Sequence, residues 1–298
     1  MSGKLLDRYC ELKNITKHYI EGSKTKDEAI DNIAKTIIDL ENKTAEKNRL
    51  GYAINKDKDE FQQYINDNYG RFYFEFYKKY NTKPTERAYM FRFIYLSTYM
   101  NYDNILSNKK RLLKENDLEN ILMLSRSETY KTKNWLIENK FIFINENDTI
   151  TINSVYAKRG KIRKVKNIEV VRMFDDTIRE LYKNSLPKEH KTLGLLIDIL
   201  PYVNYKYNVL CENPNESEPE LIEPLTISKL GEKLGIDKSH CSRLKNKLKN
   251  ITVNNEPVIG FWEDKLGKSI WVNPKFIYKG DSLNDLKIIE NQFEIHKD

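Results

Sequence analysis

The stretch Leu225–Lys249, LTISKLGEKLGIDKSHCSRLKNKLK, decides how this chain is read. Ile227, Leu230 and Leu234 fall on one helical face, behind a cap that Thr226 or Ser228 can supply. Gly235 then offers a left-handed turn at no steric cost. Asp237 is placed to cap a second helix, whose buried side is predicted as Cys241, Leu244 and Leu248, at i, i+3 and i+7. Gly231 lets the two helices cross closely, and Ile236 plugs the corner. That is the helix-turn-helix layout, in which the second helix enters a DNA major groove. Its wet face presents Lys238, Ser239, Ser242, Arg243 and Asn246, with no acidic side chain after Asp237.

An ordinary helical hairpin with a solvated basic face would show the same periodicity, so the segment C-terminal to it has to discriminate. Pro257–Phe261, the turn Asp264-Lys265-Leu266-Gly267 and Ser269–Val272 read as a β-hairpin. A hairpin directly after a recognition helix is a wing, and this one is expected to carry Lys265 and Lys268 at a basic tip.

From about Arg71 the chain is written twice. Phe76-Tyr77-Lys78 returns as Leu181-Tyr182-Lys183, and each is followed by a proline loop, an acidic residue and a helix of large apolar residues. Leu96 to Asn104-Ile-Leu is matched by Leu200 to Asn208-Val-Leu. Ile152-Asn153-Ser-Val-Tyr156-Ala-Lys-Arg159-Gly160 is mirrored by Val272-Asn273-Pro-Lys-Phe276-Ile-Tyr-Lys279-Gly280. The first copy therefore also holds a helix-turn-helix, with Leu118, Leu122 and Leu124 at the positions of Leu230, Leu234 and Ile236. Its second helix is predicted from a Ser125 cap to Asn139, with Glu128 closing a capping box and Thr129, Thr132 and Leu136 buried. Arg126, Ser127, Tyr130, Lys131 and Asn134 face outward there. Phe141–Ile144 and Thr149–Asn153 form the first wing, whose tip is acidic through Glu146 and Asp148 and repels phosphate.

Between the copies, Lys158, Arg159, Lys161, Arg163, Lys164 and Lys166 put six cations into nine residues without a carboxylate. Such a connector is expected to run along the phosphate backbone or span a minor groove, although a solubilising linker has the same composition. Cys211–Glu223, an insertion in the second copy, reads as a flexible acidic loop. Before the copies, Leu5–Ile20 and the stripe of Ala29, Ile30, Ile33, Ala34, Ile37 and Ile38, behind a Thr25–Glu28 capping box, predict two amphipathic helices. Asn42–Glu60 reads as a loosely held connection. The fold expected is mainly α with small β-hairpins (α+β). It comprises a helical extension (1–66), a first winged-helix domain (67–157), a basic linker (158–168), a second winged-helix domain (169–282) and a short helical tail (283–298).

Bulk composition narrows the function. A chain of 298 residues with 39% hydrophobic and 11% aromatic residues has an ordinary supply of core. No apolar run approaches the roughly 18 residues of a membrane span, and Met1–Lys13 lacks an apolar signal segment, which points to a cytoplasmic location. Cys10, Cys211 and Cys241 show no paired spacing, and the four histidines form no ligand motif, so neither disulfide framework nor metal or other cofactor is expected. No phosphate-binding glycine loop occurs. His240-Cys-Ser-Arg243 with Tyr278 downstream fits the H-x-x-R and tyrosine of a recombinase, but His240 and Arg243 lie inside the helix-turn-helix, so no catalysis is expected. A net charge of +7 permits a polyanionic partner.

With two such copies joined by a basic connector, the chain resembles replication initiators of plasmids and phages, which use two winged helices to bind origin repeats. Glu189-His-Lys-Thr-Leu-Gly194, Leu225–Lys249 and Val272-Asn-Pro-Lys-Phe-Ile-Tyr-Lys-Gly280 resemble more specifically the RepL-type and related replication or maintenance proteins of low-GC Gram-positive plasmids and phages. The resemblance implies a sequence-specific partner, double-stranded DNA, bound without enzymatic activity. A phage or plasmid transcriptional repressor would use the same surface. An interaction adaptor would instead use the first copy and the N-terminal helices, and those N-terminal helices are also available for homodimerisation or for host replication proteins.

Overall fold

The computed structural model describes residues 17, 26–80, 83–162, 170–264 and 267–295, and it mixes helix with strand. In chain order the elements are α1 (Lys26–Asn68), β1 (Phe72–Glu75), α2 (Arg87–Ser97), β2 (Ser107–Asn108), β3 (Arg111–Leu112), α3 (Leu118–Leu122), α4 (Arg126–Glu138), β4 (Ile142–Ile144), β5 (Ile150–Ile152) and β6 (Ala157–Lys158). Then come β7 (Val171–Phe174), α5 (Asp175–Lys183), α6 (His190–Leu193), α7 (Leu195–Asp198), α8 (Ile227–Lys233), α9 (Cys241–Lys249), β8 (Thr252–Val253), β9 (Glu256–Pro257), β10 (Ile259–Asp264), β11 (Gly267–Val272), β12 (Ile277–Tyr278) and α10 (Leu283–Ile295).

The chain divides into two compact units, 1–60 and 61–298. In the first, α1 runs unbroken through Asn42–Glu60, where a loose connection was expected. Charge density does not oppose a helix when the charges are Glu, Lys and Arg, which are good helix formers. Lys56 and Glu60 pair across one turn at 3.7 Å, and the single glycine, Gly51, costs only about 1 kcal/mol. Leu5–Ile20 lies outside the described residues but for Lys17, and so does Thr25 of the capping box.

In the second unit a four-stranded sheet has the order β12-β7-β1-β6, all neighbours antiparallel. Each copy of the sequence contributes its first and last strand, β1 with β6 and β7 with β12. The two copies meet along β1 and β7, where Phe74 faces Arg172. That order is unchanged when the two strand pairs are exchanged, so an approximate twofold axis passes through the sheet between β1 and β7. Tyr73 and Glu75 of β1 and Val171 and Met173 of β7 all point to the buried face. Burial pushes the Glu75 carboxyl well above the usual carboxylate range.

The repetition reaches individual hydrogen bonds. Asn104 and Asn208 both adopt the left-handed region, at φ 62° and 53°. The Asn104 amide donates to Ile152 O (3.3 Å) and Ala157 O (2.9 Å), and the Asn208 amide donates to Val272 O (3.3 Å) and Ile277 O (2.8 Å). Asn153 and Asn273 tie the ends of the two hairpins in the same way, donating to Lys140 O and Pro257 O.

One core runs through both copies, from Tyr73 and Phe93 to Leu244, Val272 and Ile277. The copies therefore share one core, and residues 163–168 of the basic linker expected between them lie outside the described residues. A second cluster gathers Phe61, Ile65 and Tyr69 with Phe174, Tyr278, Leu286 and Ile289, so the short C-terminal helix expected is present as α10 and is packed. Tyr64 and Tyr69 both donate to the Glu290 carboxylate.

Two further expectations are corrected. The apolar helix of the second copy is broken into α6 and α7 at Gly194, where a Cβ would lie 2.6 Å from the Arg87 Cβ. That glycine lets α2 and α6 cross closely. The Cys211–Glu223 insertion is not a free loop but a hydrogen-bonded one. Glu212 N donates to Glu223 O, the Asn213 amide to Leu221 O and the Asn204 amide to Glu216 O.

Candidate nucleic-acid interface

In the second copy the local sequence builds the expected pair of helices. The Thr226 hydroxyl accepts from Lys229 N at 3.3 Å and starts α8. Gly235 turns the chain at φ +66°, and Ile236 N bonds back to Gly231 O at 2.8 Å. A Cβ on Gly231 would come 2.7 Å from the Cys241 sulfur, so glycine there permits the close crossing of α8 and α9. Asp237 accepts from the backbone and hydroxyl of Ser239, at 2.8 and 2.6 Å, and these bonds hold its carboxyl below the usual range. The cap opens a single 3-10 turn, Lys238–His240, and α9 proper starts at Cys241. Cys241, Leu244 and Leu248 are buried, as the spacing predicted.

Lys238, Ser242, Arg243 and Asn246 are all exposed on this element. Ser239 is exposed too, but its hydroxyl hydrogen is turned back onto Asp237 and is not free to donate outward. Lys245, Lys247 and Lys249 are exposed as well, though periodicity alone did not single them out. Lys245 reaches over the Phe261 ring at 5.4 Å, linking α9 to the β10–β11 hairpin. From Lys238 to Asn255 no carboxylate occurs. The helix surface therefore keeps its positive charge unneutralised by its own sequence along its length.

The hairpin differs from the basic tip expected. Glu263 faces Lys268 across the strands, and the two pair at 2.9 Å. Both side chains are 66% exposed, so the pair is worth little and a phosphate can compete for Lys268. Lys265 lies outside the described residues. Along the hairpin Trp262 packs on Trp271, and Phe293 of α10 packs against Trp262.

The first copy has the same plan with different chemistry. Ser125 caps α4 through Glu128 N, and Thr129, Thr132 and Leu136 are buried as predicted. The capping box is only half formed, because the Glu128 carboxylate bonds Lys131 at 3.1 Å and Arg92 at 3.3 Å instead of turning back. Lys131, ahead of Arg92, holds that carboxyl below its usual range. Arg126, Ser127, Tyr130 and Lys131 are exposed, and Asn134 is half-buried. Lys133 pairs with Glu115 at 2.5 Å. Thus two of the three cations on α4 are matched by carboxylates, and Ile137 and Phe143 add exposed apolar surface.

The basic connector is corrected most sharply at Arg159. This residue is 4% exposed and donates two bonds to Asp175, at 2.8 and 2.9 Å, and others to Met100 O, Phe72 O and Thr98 O. All three guanidinium nitrogens are engaged inside the protein, so Arg159 is withdrawn as a phosphate ligand. Lys158 is half-buried on β6, Lys161 is exposed, and Arg163 and Lys164 lie outside the described residues.

Comparison with family models, curated proteins and solved structures finds no match. The chemistry of the surface therefore carries the functional reading. Among the described residues no group of His, Cys, Asp or Glu is arranged to hold a metal ion, and no helix is long and apolar enough to cross a membrane. Tyr278, the residue a recombinase reading would make the nucleophile, is buried and donates its hydroxyl to Ser282 O.

Proposed function

We propose that this chain is a sequence-specific double-stranded DNA-binding protein built from two tandem winged-helix domains, and that the second domain is its main reading head. The observation that carries this reading is the carboxylate-free run from Lys238 to Asn255, which puts Lys238, Arg243, Lys245, Lys247 and Lys249 on one exposed helical element. A helix of that charge gains affinity from phosphates by releasing counterions, and its outward side chains are free for base edges. Arg243 suits the paired acceptors of guanine, while Ser242 and Asn246 add polar contacts and Lys268 a phosphate contact. The approximate twofold axis of the sheet relates the two domains, so two half-sites in inverted orientation are the expected target. By this reading the protein acts at the repeats of a replication origin, as the plasmid and phage initiators it resembles do.

Selection of bound duplexes from random and origin DNA tests this. Two half-sites recurring at an origin support initiation, and sites placed over a promoter instead support repression. Arg243→Ala is expected to weaken the selected site by about 1–3 kcal/mol and relax preference at one base pair. Equal loss on random DNA overturns its base-reading role. A second reading, that the first domain binds protein, is favoured by the pairing of Lys131 and Lys133 with Glu128 and Glu115 and by exposed Tyr130, Ile137 and Phe143.

A further inference from the structure

The polar network buried around Arg92 supplies none of the outward-facing side chains of either helix pair. Arg92 lies on α2 of the first copy with a side chain only 4% exposed. Its Nη1 donates to Thr132 Oγ1 at 2.8 Å and to the Glu128 carboxylate at 3.3 Å, both on α4. Its Nε donates to His190 Nδ1 at 3.2 Å, on α6 of the second copy. One guanidinium thus joins the outward-facing helix of the first copy to the opposite copy.

A second bond lies beside it. The Tyr182 hydroxyl, from α5 of the second copy, donates to Leu122 O at 2.7 Å. Leu122 is the last residue of α3, and Met123 after it takes the left-handed turn (φ 50°) that leads into α4. Tyr182 stacks on Tyr95 at 3.6 Å between ring centres and lies 4.5 Å from the His190 ring. Apolar packing alone tolerates small slides, whereas a planar guanidinium bonded on two edges fixes distance and angle together.

We infer that Tyr182 and His190, the latter through Arg92, brace the first helix pair against the second copy and so set the spacing and angle between the two outward helices, α4 and α9. Arg92, His190 and Tyr182 are positioning residues in this role, since all three are buried away from the surface. The inference rests on the two-headed DNA reading for its functional meaning. The protein would reject sites whose half-sites are correctly spelled but wrongly spaced.

The test uses the full chain with Arg92→Met and, as the milder change that keeps the buried ring, Tyr182→Phe. The probes are the selected duplex, versions with one or two base pairs added or removed between half-sites, and a duplex carrying the second half-site alone. Each variant is expected to weaken the optimal duplex about tenfold while leaving the misspaced duplexes and the single half-site unchanged, which flattens the spacing preference. An unchanged spacing preference in both variants overturns the inference, and so does an equal loss on the single half-site. Amide exchange without DNA gives an independent readout. Arg126–Glu138 should exchange about tenfold faster in the variants while Cys241–Lys249 is unaffected. Equal change in both helices, or in neither, refutes the brace. If selection with the wild-type chain returns no paired half-sites, the two-headed DNA reading fails and the exchange comparison alone decides this one.

Discussion

Asn104 and Asn208 offer a measurement that tests the duplication and its energetics together. Each is buried, holds a left-handed backbone and donates from its amide to two carbonyls at the end of its copy. Replacing either by alanine removes two hydrogen bonds, worth about 1 kcal/mol each, and adds about 1–2 kcal/mol for a Cβ without a compensating local bond in the left-handed region. The expected loss is about 3–4 kcal/mol at each site. Glycine relieves the backbone part alone, so Asn→Gly should recover about 1 kcal/mol of that loss. Urea unfolding followed by far-ultraviolet circular dichroism and tryptophan fluorescence measures it, with Trp135 in the first copy and Trp262 and Trp271 in the second. Because one core spans both copies, either substitution should shift a single common transition. Two transitions, each moved only by the asparagine in its own copy, would refute the shared core. A loss below about 1 kcal/mol at both sites would refute the amide bonds.

Arg159→Ala should destabilise the fold by about 3–5 kcal/mol, because it strands Asp175 without its buried partner. On the DNA-binding function proposed above, the salt dependence of binding by the folded protein should stay unchanged, whereas a flattened slope would return Arg159 to the phosphate contacts. His190 is lowered to about 4, chiefly by burial and next by Arg92, below its ordinary 6.5. The unfolded chain therefore takes up that proton first: stability is full above pH 6.5 and declines as pH falls toward 4, by at most about 3 kcal/mol. His190→Gln should remove that slope in unfolding curves collected across about pH 4–7, and an unaltered slope would assign it elsewhere. Gly194→Ala should cost about 1–3 kcal/mol in the same unfolding assay, since its methyl group meets the Arg87 backbone, and a neutral result would show that α2 and α6 can part freely.

Much of the local structure was legible in the sequence. Period and caps located α8, α9 and α4 with their buried residues, and the left-handed turn at Gly235 followed from its lack of a Cβ. Recurrent asparagines and hairpins disclosed the duplication. These features are set by interactions a few residues long, which composition and spacing encode directly.

Only the tertiary structure decided what the long-range partners are. Arg159 stands among the cations of the connector, yet Asp175, Thr98 and Met100 arrive from elsewhere in the chain and bury it. Lys268 looks like a basic wing tip until its cross-strand neighbour Glu263 is placed opposite. The Arg92 network joins side chains distant in sequence and leaves no periodic trace. A charge counts as surface or core according to what packs on it, and that depends on which strands pair. For this protein the sequence alone determined the two helix pairs and the basic face of α9. The pairing of β1 with β7 brought the two copies onto one core, and long-range packing decided which of their cations stay exposed.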